Sequence, residues 1–196
     1  MADRDKLLDA AERAIAAEGP EVTMEAIAAA ASVTKPILYR MVGDRDALVA
    51  ALAARFVARI NDAGAAAVAS ATDPRGAARR LIGSFVDVVD AEPSLFLFVT
   101  AGPSSGDRLG QSLSSGDRSA GPLAEQLARH RPPGSELDPH AALIWAHGII
   151  GALQYATLWW LRDRPCRAGE LADHLTQLLW SGMAVPSSTP TQRESS

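Results

Sequence analysis

Apolar side chains recur every three or four positions along most of this chain, the spacing that gathers them on one face of a helix. Residues 3–18 carry Leu7, Leu8, Ala11 and Ile15 in that register, and Gly19-Pro20 stops the helix. Thr23 is placed to cap a short second helix reaching about Ala31, with Glu25 favourably set near its positive N-terminus. Ser32-Val33 then makes a tight turn. Thr34 caps a third helix that ends near Val42-Gly43, and Pro36 falls in its first turn, where a missing N–H costs nothing. Asp44 caps a fourth helix, with Leu48, Leu52, Phe56 and Ile60 on one face.

Beyond an alanine- and glycine-rich stretch, Asp73-Pro74 opens a helix to about Ala91, and Glu92-Pro93 breaks it before a short apolar helix over 94–101. Residues 102–121 are rich in Ser and Gly and contain Ser-Ser-Gly-Asp-Arg twice, so they read as a mobile loop. A helix over 122–131 follows, then Pro132-Pro133-Gly134. A long apolar helix runs from about Asp138 to Arg162, and Pro165 separates it from a last helix over 168–184. The polar tail, 186–196, is expected to be disordered. No alternating strand pattern occurs, and the expected fold class is all-α.

Composition narrows the picture further. Abundant alanine with 47% hydrophobic residues favours close-packed helices around a real core. The net charge of -4 does not exclude a nucleic-acid partner, because only the local charge at a contact face matters. Residues 1–60 hold eight Lys/Arg against nine Asp/Glu, which implies a small phosphate footprint with the acids turned elsewhere. Cys166 is the single cysteine, so no intrachain disulfide forms. The charged start has no apolar stretch behind it that would serve as a signal peptide, and a cytoplasmic location is expected.

The informative segment spans Thr23 to Leu48. Two short helices joined by a tight turn are the elements of a helix-turn-helix, whose second helix enters the major groove with polar side chains near its N-terminus. Thr34, Lys35 and Tyr39 sit there, with Arg40 close by, while Leu38 and Val42 face inward. Thr23 and Thr34 stand where helix N-termini approach phosphates, and Arg45 reads as a second backbone clamp. Lys35 suits a guanine edge and Pro36 a thymine methyl.

The run SVTKPILYRMVGDRDAL, residues 32–48, resembles the signature of the TetR family of transcriptional regulators, and the preceding helix with Ile27-Ala28 resembles the family's threonine-capped second helix. The resemblance covers about a quarter of the chain. Ser32 departs from the usual turn glycine, Met41 from a common histidine and Val42 from a common phenylalanine. What it implies is an N-terminal three-helix helix-turn-helix domain (1–47) followed by a helical ligand-binding and dimerisation domain (48–185). It makes Thr23, Thr34, Tyr39 and Arg45 phosphate contacts, and Lys35, Pro36 and Arg40 base-edge or groove contacts. The partners implied are double-stranded palindromic operator DNA, a second copy of the chain and a largely apolar small-molecule effector that releases a repressor. An activator of the same type, or a helical ligand-binding protein or enzyme that does not bind DNA, are the alternatives.

In the C-terminal half, residues 141–161 are almost continuously apolar and long enough to span a bilayer. His147, Gln154 and Thr157 within the stretch, and the soluble-looking helices around it, argue instead for the core of a helical dimer and against a membrane. The resemblance implies that the last two helices pair across a two-fold axis, with Gly148 and Gly151 allowing close approach and Trp159, Trp160 and Trp180 supplying contact area. It also implies an effector pocket lined by Phe85, Phe96, Phe98, Trp145 and Tyr155, with His147 and Gln154 as polar anchors. No nucleophile elbow, phosphate loop, dinucleotide fingerprint or zinc motif is present. His140 and His147 are too far apart along one helix to share an ion. No enzymatic activity, cofactor or metal is expected.

Overall fold

The computed structural model describes residues 4–69, 71–101, 120–121, 123–125 and 138–183. Most of the expected 102–121 loop, most of the 122–131 helix and the 186–196 tail lie outside them. Among the described residues every regular element is a helix: α1 (Arg4–Glu18), α2 (Met24–Ala30), α3 (Lys35–Val42), α4 (Arg45–Val68), α5 (Pro74–Ala91), α6 (Pro93–Ala101), α7 (Pro139–Asp163) and α8 (Ala168–Met183). Residues 120–121 and 123–125 are helical as well.

Caps set most of the boundaries. Asp44 accepts from Ala47 N at 2.8 Å and Asp73 from Gly76 N at 2.8 Å, each satisfying a donor that the helix itself leaves unpaired. α4 runs past Ile60 through the alanine-rich stretch to Val68, as the high helix propensity of alanine allows. It is therefore a 24-residue rod that begins in the N-terminal head and continues into the body.

Three apolar clusters are buried among the described residues, the smallest being Ala120, Ala124, Ala142 and Ala146. The first joins Leu8, Ile15, Ile27, Leu38, Leu48, Leu52 and Phe56 to Val89, Leu95, Phe96 and Phe98, so the head shares one continuous core with α5 and α6. The second packs Ile82 and Val86 of α5 against Trp160 of α7 and Leu171 and Leu175 of α8. Charge reinforces the junction between α1 and α4. Arg55 pairs with Asp5 and Asp9 at 2.9 and 2.7 Å, and Arg59 with Glu12 and Glu92 at 3.2 and 3.0 Å. These partly exposed pairs are individually weak. They nevertheless engage three acids of α1 with α4, which offsets part of the acidic excess counted along the sequence.

Candidate nucleic-acid interface

Local chemistry explains why α2 and α3 meet as they do. Thr23 caps α2 by accepting from Ala26 N at 3.2 Å. At its other end Val33 N donates to Ala28 O at 3.0 Å and Ser32 N to Ala29 O at 2.9 Å, with Ser32 in the left-handed region at φ 54°. That is the Schellman closure, which favours glycine at the position Ser32 occupies. The turn is thus closed by a less comfortable residue than glycine. Gly43 ends α3 at φ 85°, and a Cβ there would lie 2.7 Å from Ala47 Cβ, so this position is closed to side chains.

α3 is two-sided. Leu38 and Val42 are buried in the head's core, while Thr34, Lys35, Pro36, Tyr39 and Arg40 are all exposed on the outer side. Thr34 makes no side-chain cap bond, although its backbone is extended as a cap requires. Lys35 Nζ donates to Glu25 Oε1 across the α2–α3 corner and lies 5.9 Å from the Tyr39 ring centroid. That hydrogen bond holds the Glu25 carboxyl below its ordinary range and the Lys35 ammonium above its own. Both remain charged at neutral pH. From the sequence alone Glu25 is a favourable first-turn acid. A carboxylate ten residues before a reading-helix lysine, across a tight turn, was the available signal of a pair.

Arg45 corrects an expectation. Its guanidinium does not project from the head. It donates to Val22 O at 2.7 Å and Pro20 O at 3.4 Å, and it stacks 4.8 Å from the Phe98 ring centroid. A planar fork that finds two carbonyls and a ring face at once is held half-buried against the protein. Arg45 is a strut between the α1–α2 turn and α6.

The expected pocket residues fall into two groups: Phe85, Phe96 and Phe98 on α5 and α6, and Trp145, His147, Gln154 and Tyr155 on α7. Phe96 and Phe98 are buried in the core beneath the head, with Phe96 5.9 Å from Phe56 and 6.1 Å from Phe85 between ring centroids. Tyr155 points outward and is 78% exposed, and Trp145 is also exposed. Phe85, His147 and Gln154 are half-buried, and His147 Nδ1 lies 2.8 Å from Leu143 O. Thr157, which in the sequence marks only a polar break in the apolar stretch, is fully buried with a hydroxyl that has no hydrogen-bond partner among the described residues. Thr176, by contrast, donates to Ala172 O in the usual helical manner.

At the other end of the molecule Ile144 (70% exposed), Gly148, Gly151, Tyr155 and Trp159 (48%) follow one another at helical spacing along one side of α7. Leu178 (64%) of α8 is also outward, in a shallow depression with His174, Gln177 and Ser181. A Cβ on Gly148 or Gly151 would meet nothing within 4 Å among the described residues. Trp160 departs from the expected interface role. It is buried in the second core, donates Nε1–H to Cys166 O at 2.8 Å and stacks under Arg164 at 4.1 Å. One residue from Trp159 on a helix turns a side chain by about 100°, enough to carry it from surface to interior. Trp180 is half-buried. α7 is also the one described helix long and apolar enough to cross a membrane.

Similarity to known proteins follows the same division. Residues 7–52 match the model of bacterial regulatory proteins of the tetR family, and residues 63–194 match the tetracyclin repressor-like C-terminal domain. An uncharacterized HTH-type transcriptional regulator of Mycobacterium tuberculosis is 30% identical over 181 residues, covering 92% of this chain and 76% of its own length. A TetR-like transcriptional regulator from Rhodococcus sp. RHA1 superposes with a TM-score of 0.62 at 27% identity, over 93% of this chain and 96% of that one. The Thermus thermophilus repressor FadR, solved with lauroyl-CoA, gives a TM-score of 0.70 at 20% identity over 95% and 98%. With a capped helix-turn-helix at one end and a matched helical body behind it, this chain belongs to the TetR family of transcriptional regulators.

Proposed function

We propose that the protein is a repressor that binds a palindromic operator as a homodimer and is released by a largely apolar small molecule. The observation that carries this reading is the two-sidedness of α3. Its apolar face is locked on the core, and Thr34, Lys35, Pro36, Tyr39 and Arg40 stand together on the other side. Thr23, Thr34 and Tyr39 are suited to phosphate oxygens, and Lys35, Pro36 and Arg40 to the groove. In this reading residues 1–47 form the reading head and 48–185 the effector-binding and dimerising body.

The second copy is supported by the outward stripe Ile144, Gly148, Gly151, Tyr155 and Trp159. Among the described residues nothing fills the space beside the two glycines. A flat apolar strip of this kind suits the close approach of an identical helix. Operators read by two-fold dimers present half-sites about 34–36 Å apart, so pairing is needed for function. For the effector, the Thermus relative binds an acyl-CoA. In this chain the half-buried Phe85 and Gln154 and the unpartnered Thr157 hydroxyl are suited to a ligand that is mostly apolar with a hydrogen-bonding group. The ligand need only favour a conformation in which the two heads are wrongly spaced.

The test is affinity for duplexes selected by the protein from a random pool, measured across several salt concentrations. Affinity should fall steeply with salt. Tyr39→Ala should weaken all duplexes by similar factors, whereas Lys35→Ala should also relax discrimination at one base pair by about 1–3 kcal/mol. Failure of the intact protein to bind any duplex at low salt would overturn the reading.

A further inference from the structure

The strongest unassigned feature of the reading surface is the pairing of its foremost cation with a carboxylate. Lys35 is the first residue of α3, and its ammonium is bound by Glu25 from the first turn of α2. Both side chains are solvent-exposed, at 47% and 63%, so the pair adds little to the stability of the fold. Its placement is what matters, because it lies where the DNA-binding reading puts the duplex. The same ammonium lies 5.9 Å from the Tyr39 ring centroid, so two neighbours on two helices restrain it.

Resting on the proposed DNA-binding function, we propose that Glu25 is a positioning residue that sets sequence specificity by holding Lys35 away from phosphates. A free lysine on this surface would swing to the nearest phosphate of any sequence, because its flexible stem and point charge make few geometric demands. Non-specific binding is built from such contacts. With Glu25 as its partner, Lys35 gains little by exchanging one anion for another. A guanine edge asks for a donor at a fixed place, and an ammonium held over the first turn of α3 is already placed near its target. Glu25 therefore lowers the background affinity more than the operator affinity.

Glu25→Gln keeps the shape and removes the charge. Against a scrambled duplex at about 0.1 M salt its affinity should rise about fivefold to tenfold, the effect of one added phosphate contact, and the salt slope should steepen by about 0.9. Affinity for the selected operator should be unchanged or lower, so the ratio of the two falls at least about fivefold. In the Lys35→Met background the same Glu25→Gln change should have no effect on the ratio. Asp46→Asn, which removes another exposed head carboxylate, should leave the ratio intact. An unchanged ratio in Glu25→Gln overturns the proposal, and so does an equal change in the Lys35→Met background, which would make the carboxylate act by its own repulsion alone. If the unaltered protein selects no duplex, it is the DNA-binding reading that fails.

Discussion

The two ends of this molecule solve the burial problem in opposite ways. In the head, α1 to α3 and the start of α4 bury their apolar faces against each other and against α6, and leave polar groups outside. At the far end, α7 and α8 share only a modest core with α5 and turn Ile144, Tyr155, Trp159 and Leu178 outward. The head is complete as one chain. The far end leaves apolar side chains exposed among the described residues, and this is the surface on which the proposed second copy would sit.

The largest expected effect follows from that contrast. Tyr155→Asp places a charge in the middle of the exposed α7 stripe and should leave the monomer folded, since the side chain touches little within the chain. Sedimentation should then show monomer, and operator affinity should drop by about 10²- to 10⁴-fold as the linked second contact is lost. A dimer that survives the change would mean that α7 is covered by something else.

A smaller effect is expected at the junction. Arg45→Ala removes two bonds to carbonyls from a charged donor and a ring contact, and should cost about 2 kcal/mol, seen as a fall of several degrees in Tm. Arg45→Lys should not restore it, because an ammonium cannot bridge both carbonyls while lying flat on Phe98. Weakened DNA binding with an unaltered Tm would instead return Arg45 to the phosphate-contact role expected from the sequence. The smallest change should come from Ser32→Gly. Relieving a left-handed serine should gain up to about 1 kcal/mol and raise Tm by about 2–4 °C, with DNA affinity unchanged.

How far the sequence could be read varies along the chain for physical reasons. Thr23, Asp44, Asp73 and Gly43 act through neighbours three or four residues away, so the helix-turn-helix and most helix ends were legible. Arg45 was not, because its partners Pro20, Val22 and Phe98 lie 23 to 53 positions away, and only the folded chain brings them together. Trp159 and Trp160 differ by one position yet fall on opposite sides of α7. In a helix apolar nearly all round, composition cannot say which side faces a partner and which the core. Aromatic character alone does not say whether Phe96 and Phe98 face a cavity or a core; α6 packs them against Phe56 and Arg45 of α4.

The central claim is that two copies of α3 face one duplex. Hydroxyl-radical footprinting of the selected operator tests it most directly. The account predicts two protected patches related by two-fold symmetry and centred one helical turn, about 10–10.5 base pairs, or a multiple of it apart. A single patch, or even protection along the whole duplex, would contradict it.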